Sequence, residues 1–356
     1  MPLRVLHVSE SYGGGVVSAM QEYARSVTTA DHHLLYAPRS DSPIDASDLS
    51  MFASATPFVQ GHISRMRQIR KIARDGAFDV VHVHSSFAGA YVRLALSRRR
   101  IPIVYTPHCY AFEILSYPRP LRWLFWLAEY LLAFNTSGFA ACSPREARLS
   151  RRRLTKNVVA YVPNAYTSRL GDPTMVPAER RELVGLGRVC TQKGPDFFAE
   201  TFQIASAEVP SLKATWIGFS ENSDSDLLEE KGVHVTGWMS RAKVRDYLRA
   251  SNGVYLHSAV WEGFPIGILE AHFEGMPVVV RQSRSLEGFD FPASAATPTE
   301  AAAHVVRLLG PANQVEEFGL TSAALADNSA EVQGQRLSDL YANVSSTRSS
   351  AATEQP

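Results

Sequence analysis

At 356 residues, 45% of them hydrophobic and 20% charged, the chain exceeds what one hydrophobic core supports and is too apolar for global disorder, so two domains are expected. Lys plus Arg number 36 against 35 Asp plus Glu, and this balance gives no reason to expect nucleic acid as a partner. The three cysteines, Cys109, Cys142 and Cys190, show neither a CxxC pair nor a metal-ligand rhythm and fit a reducing, cytoplasmic setting.

The N-terminus enters an alternating apolar run by Ser9 without the parts of a signal peptide. Short β-branched runs then alternate with helical patterns: Val5 to Ser9, His33 to Ala37, Val80 to His84, Ile103 to His108, Phe139 to Ser143 and Val158 to Val162. This is the βαβ signature of a doubly wound parallel sheet. Gly13-Gly14-Gly15-Val16-Val17-Ser18 approximates a dinucleotide fingerprint and raises a dehydrogenase reading. It is a weak one, because no acidic residue closes the second strand at Leu34 to Pro38. Leu121 to Phe134 is apolar but interrupted by Arg122 and Glu129, and falls short of the roughly 20 residues a bilayer core requires. The aromatic helix Pro120 to Leu132 has two readings, a cover for the first sheet or a peripheral membrane contact with Trp and Arg at headgroup depth. Basic clusters at Arg98 to Arg100 and from Arg145 through Arg151, Arg152, Arg153 and Lys156 read either as solvated faces or as a surface for something anionic.

Composition breaks at Asn164 to Ala178, where Gly and Pro punctuate polar residues, so the expected boundaries are 1–168 for the first domain, 169–180 for a linker and 181–322 for the second. The strand pattern restarts at Leu183 to Gly187, Ala214 to Gly218, Val233 to Thr236, Gly253 to His257 and Pro277 to Arg281. Helices are expected over Pro298 to Leu309 and Ala323 to Val344, the latter able to cross back to the first domain, followed by a disordered tail over 345–356. Two α/β halves in tandem make the crevice outside their strand ends the expected ligand site.

The most informative segment runs from Trp261-Glu262-Gly263-Phe264-Pro265-Ile266 through Glu270 to Gly275-Met276-Pro277 and reads as loop, helix, stop, strand. Pro265 suits the first helical turn. A helix starting at a strand's C-terminal end aims unpaired N–H groups and a positive dipole end at an anion, phosphate above all. Glu262 and Glu270 would repel phosphate but accept well from the paired hydroxyls of a sugar or ribose. Upstream, Arg188 and Lys193 stand in the loop after the second domain's first strand, where two cations neutralise a diphosphate and stabilise its departure without a metal. His108 ends a strand at the crevice edge. Asp224-Ser225-Asp226 formally resembles a metal-binding DxD but reads as a solvated polar turn, so no metal and no cofactor are expected.

These pieces, with Ser11 to Val16, Phe78 to His84, Thr106-Pro107-His108, Ala141 to Glu146, Val162-Pro163-Asn164 and Val235 to Trp238, stand in the order of the retaining GT-B glycosyltransferases with a Glu-x7-Glu motif, which the chain resembles over nearly its whole length. The resemblance implies two Rossmann-like domains facing a central cleft, a UDP- or GDP-sugar donor, a saccharide or lipid-linked acceptor, and transfer with retention in cell-surface polysaccharide or glycoconjugate synthesis. It implies that Arg188 and Lys193 bind the donor diphosphate, that Glu262, Gly263, Phe264, Pro265 and Ile266 hold the transferred sugar and phosphate, and that Glu270 accepts from the ribose. His108 would contact the transferred sugar, Gly13, Gly14 and Gly15 would let the backbone approach the donor diphosphate or the acceptor, Gly218 would join the donor site, and the base would lie near Trp238 and Met239. A nucleotide-sugar epimerase or a non-catalytic sugar-nucleotide binder of the same fold are the alternatives.

Overall fold

The computed structural model describes residues 2–39, 42–151, 154–155, 157–167, 174–219 and 224–353. The chain divides into two compact units, Met1–Ala165 with Ser329–Pro356, and Tyr166–Asn328.

Among the described residues, the first unit holds β1 (Leu3–Tyr12), β2 (Ala30–Pro38), β3 (Ser54–Pro57), β4 (Val80–His84), β5 (Ile103–Thr106), β6 (Gly138–Ala141) and β7 (Val158–Tyr161). All pair in parallel, in the order β3-β2-β1-β4-β5-β6-β7. The second unit holds β8 (Glu182–Leu186), β9 (Lys213–Ile217), β10 (His234–Val235), β11 (Gly253–His257), β12 (Val278–Arg281) and β13 (Ser294–Ala295), also parallel, in the order β10-β9-β8-β11-β12-β13. Strands β4, β5 and β11 are buried at every position, as continuous apolar runs covered on both faces should be. Strand order reverses between β1 and β4 in one sheet and between β8 and β11 in the other, and the carboxyl ends beside these reversals are where a doubly wound sheet holds its ligand.

Several expectations shift. Strand β3 escaped the sequence reading because Ser54–Pro57 is polar, mostly exposed and lies on the edge, where a proline is tolerated. Strand β5 ends at Thr106 rather than His108, because His108 (φ 52°) and Cys109 (φ 90°) turn into left-handed backbone. The helix Pro298–Leu309 has the expected bounds, capped by Thr297 Oγ1 accepting from Glu300 N at 3.2 Å. The single helix expected from Ala323 is two, Gln314–Ala324 and Ala330–Thr353. Ser329 caps the second, its Oγ accepting from Val332 N at 3.2 Å, a signal hidden inside a periodic run. That helix runs on to Thr353, across residues read as a tail.

The expected boundary at Ser168 and the linker's start through Pro173 lie outside the described residues. Residues 174–180 belong to the second unit: Ala178 donates to Gln314 Oε1 at 3.0 Å and Arg180 N to Leu309 O at 2.7 Å. The first unit's core joins Val5, Val80 and Val104 of its sheet to Leu337, Leu340, Tyr341 and Val344 of the last helix. The second unit's core gathers Leu183, Trp216, Val254 and Val279 under Phe198, Val305 and Leu308.

Candidate active site

In the second unit the loops leaving β8 and β11, neighbours at the reversal of strand order, are laced together. Val260 N donates to Gln192 O at 2.8 Å, Gln192 Nε2 to Trp261 O at 3.1 Å and Ser258 Oγ to Lys193 O at 2.7 Å. This lacing brings Lys193 onto Glu262 in an ion pair, with Arg188 near enough to add to the field at that carboxylate. Burial pushes the Glu262 carboxyl up, but Lys193, His257 and Arg188 outweigh it and hold the group below the ordinary carboxylate range. The site therefore carries a fixed negative charge between cations.

Pro265 is the N-cap of the helix Ile266–Phe273 rather than its first residue. Gly263, Phe264, Pro265 and Ile266 are all buried in the approach to this helix start, whose first amides have no intrahelical partner. Glu270 lies one turn inside; burial raises its pKa above the usual value against the pull of Arg241, Lys193 and Arg245. Among the described residues its carboxylate has no hydrogen-bond partner, so its acceptor capacity is unspent. Gly218 follows β9 against the β8 loop: a Cβ there would fall 1.9 Å from Gly187 O, so only glycine permits this approach. Trp238, 44% exposed, and Met239 follow β10, two strands from β8.

One residue of this half was missed. His257, the last of β11, is buried with its Nε2 unpartnered, and burial lowers its pKa to about 4. Nothing local marks it, since a lone histidine ending an apolar strand reads as core. Asp224–Asp226 opens a helix, Asp224–Glu230, rather than a turn, and Asp226 is exposed.

The first unit presents its candidates at the other reversal. Gly14 caps and Gly15 begins the helix after β1, both exposed, and Gly14 N donates to Ser42 Oγ at 3.2 Å. His108 stands beyond β5 in strained left-handed backbone. The strain is held from below by buried Glu146, which accepts from Cys109 N at 3.0 Å and from Cys142 N at 3.1 Å. Behind His108 lie further histidines that sequence reading did not single out as site residues. Among the described residues, His7, His82 and His84 bring ring nitrogens within 4.8 Å of one another, close enough to hold a metal. Each of those nitrogens is already hydrogen-bonded, to His32, His84, His7, His108, Tyr341 or Thr106.

The aromatic helix, Arg119–Leu132, departs from the first of its two readings, an apolar cover for the first sheet. Its buried residue is Glu129, which takes two hydrogen bonds from buried Arg93 at 2.9 and 3.1 Å and one from Tyr105 at 3.1 Å. Trp123, Leu124, Trp126 and Leu131 are exposed, as is Phe134 beyond it. Of the basic clusters, Arg145 is paired with Glu113 at 2.7 Å and Arg98 donates to Thr136 O at 2.9 Å, while Arg99, Arg100, Arg148 and Arg151 are exposed. Arg152, Arg153 and Lys156 lie outside the described residues. No described helix is long and apolar enough to cross a membrane.

Comparison with known proteins gives this geometry its family. A Glycosyl transferase 4-like domain matches residues 14–165 and a Glycosyl transferases group 1 domain matches residues 180–311. A Klebsiella pneumoniae protein of the cps region is 25% identical over 80% of this chain and 82% of its own. The UDP-Gal:alpha-D-GlcNAc-diphosphoundecaprenol alpha-1,3-galactosyltransferase of Escherichia coli is 26% identical over 66% of this chain and 67% of its own. Among solved structures, sucrose-phosphate synthase of Thermosynechococcus elongatus has a TM-score of 0.76 at 16% identity, covering 97% of this chain and 100% of its own. Anabaena HepE in complex with UDP and glucose has 0.73 at 14%, covering 96% and 100%. With a GT-B fold, and with both domain signatures in order over its two units, the chain belongs to the 4-like, group 1 glycosyltransferases.

Proposed function

We propose that this glycosyltransferase moves a sugar from a UDP-sugar to a lipid-linked saccharide acceptor, with retention and without a metal ion, in cell-surface glycan synthesis. The observation that carries the reading is the Lys193–Glu262 pair at the reversal of strand order, beside Arg188 and the unspent carboxylate of Glu270. Arg188 and Lys193 offer charge to a departing diphosphate, Glu262 an acceptor to a sugar hydroxyl, Glu270 one to the ribose. UDP is favoured over GDP because HepE was solved with UDP and the Escherichia coli relative is named for a UDP-sugar. The lipid-linked acceptor follows that relative's diphosphoundecaprenol substrate, and suits the exposed aromatic face of Arg119–Leu132 as a peripheral membrane contact.

Thermal shift with UDP, GDP, their hexose conjugates and NAD tests the donor, since a ligand that binds only the native state raises its melting temperature. UDP compounds should raise it, and NAD alone doing so would sink the reading. Proton NMR of the product from an α-linked donor, with EDTA present, should show an α linkage. Free isomerised sugar without acceptor consumption would make the chain an epimerase.

A further inference from the structure

Four imidazoles cross the first sheet in a single hydrogen-bonded file. His32 Nε2 faces Val27 O at 2.9 Å, His32 Nδ1 faces His7 Nε2 at 2.9 Å, His7 Nδ1 faces His84 Nε2 at 3.0 Å, and His84 Nδ1 faces His108 Nε2 at 3.1 Å. The strand order β2-β1-β4-β5 makes the file: His32 stands on β2, His7 on β1, His84 ends β4 and His108 follows β5. Every ring joins the next in the same sense, Nδ1 to Nε2.

A neutral imidazole has one N–H and one bare nitrogen, and a carbonyl oxygen can only accept. His32 must therefore carry its proton on Nε2 to satisfy Val27 O, which leaves Nδ1 bare to accept from His7 Nε2–H. The same choice repeats at His84 and at His108. His82 stands outside the file: its partners, Tyr341 Oη at 2.7 Å and Thr106 Oγ1 at 2.8 Å, are hydroxyls that donate or accept and so fix no tautomer. We propose that the Val27 carbonyl, acting through His32, His7 and His84 as positioning residues, locks His108 as the Nε2–H tautomer, so that its free Nδ1 is an obligate acceptor and the sugar group it meets must be a hydroxyl that donates. This rests on the proposed glycosyltransferase function and on the contact of His108 with the transferred sugar that the family resemblance implies.

Two further observations agree. Burial holds His7 and His84 well below the ordinary histidine range, lowers His32, and brings His108 to about 4, so all four are neutral near pH 7. Among the described residues His108 Nδ1 has no partner, while the Glu146-anchored turn fixes the ring's backbone independently of the file.

Long-range proton–nitrogen correlation spectra of the full chain labelled with 15N-histidine read the tautomers directly. The expected spectrum has His32, His7, His84 and His108 each protonated on Nε2, and His32→Phe, which removes the anchor, should let both tautomers of His108 appear. A proton on Nδ1 of His108, on both its nitrogens, or an unchanged His108 in His32→Phe would overturn the lock. So would a stoichiometric metal ion found by elemental analysis, since it would take nitrogens from the file. In parallel, a monodeoxyfluoro UDP-sugar lacking the contacted hydroxyl should lose about tenfold or more in kcat/KM with the wild type, and the loss should narrow in His32→Phe. A locked Nδ1 with no such discrimination across the fluoro series would refute the sugar contact of His108 and leave the tautomer assignment standing.

Discussion

At the scale of single residues, the pairing of Lys193 with Glu262 decides most about the donor half. Lys193→Met keeps the stem and removes the charge. Three consequences follow with definite signs. Glu262 is left buried without its main counter-charge, so its carboxyl should rise, because burial then outweighs the remaining cations. In the wild type its folded pKa lies below the unfolded value, so the pair's contribution to stability is present above the ordinary glutamate pKa of about 4.3 and is lost as pH falls through the lower folded value. The difference between wild type and Lys193→Met should therefore be on the order of 2 kcal/mol at pH 7, below the roughly 3–5 kcal/mol of a fully buried pair because the lysine side chain is 22% exposed, and should shrink toward zero in acid. Turnover should fall about 100-fold or more, as for loss of one preorganised donor. Urea unfolding at pH 7 and pH 3 checks the stability difference and a donor-consumption assay the turnover, and wild-type turnover in Lys193→Met would remove the diphosphate role.

At the scale of elements, what was legible in the sequence and what was not divide along one line. Elements declared by continuous apolar runs, such as Val80–His84 and Gly253–His257, were readable to the residue. That Arg188, Lys193, Glu262 and Glu270 gather was readable too, because a loop after one strand and a helix start after its neighbour place them together. The histidine file was not, since His7, His32 and His84 become neighbours only once the order β2-β1-β4 is known. The helix Arg119–Leu132 departs from one of its two readings, an apolar cover for the first sheet: the buried side chain is Glu129, satisfied by Arg93, an ion pair 36 residues apart in the chain. Trp123, Leu124, Trp126 and Leu131 are left at the surface, and this leads to a prediction. Trp123→Ser with Trp126→Ser should leave the fold intact, since both side chains are exposed, and should weaken sedimentation with anionic phospholipid vesicles about tenfold or more, the scale of two apolar side chains withdrawn from lipid. Failure of the wild type to sediment with such vesicles would end the membrane reading of this face.

At the scale of the whole molecule, the last helix makes the first unit discontinuous in sequence. Ala330–Thr353 follows the second unit in the chain but completes the first unit's core, where Leu337, Leu340, Tyr341 and Val344 are each at most 2% exposed against Val5, Val80 and Val104. The close approach depends on Gly334, where a Cβ would fall 2.4 Å from Ser26 O of the helix Gly15–Ser26, and on Gln333, which donates to Pro163 O at 2.8 Å. The two cores share no residue, so damage to one should be read in that unit's strands alone. Leu340→Ala removes a fully buried side chain and should cost about 2–5 kcal/mol. Hydrogen exchange followed by mass spectrometry should show faster exchange in β1, β4, β5 and β6, with protection in β8, β9, β11 and β12 unchanged. The mirror experiment, Val305→Ala in the second unit, should reverse the pattern with a smaller effect, because fewer carbon atoms are lost from an equally buried site. Uniform loss of protection across both sheets in Leu340→Ala would mean that the chain unfolds as one cooperative body. The last helix would then be a tie for the whole molecule rather than a missing piece of the first unit.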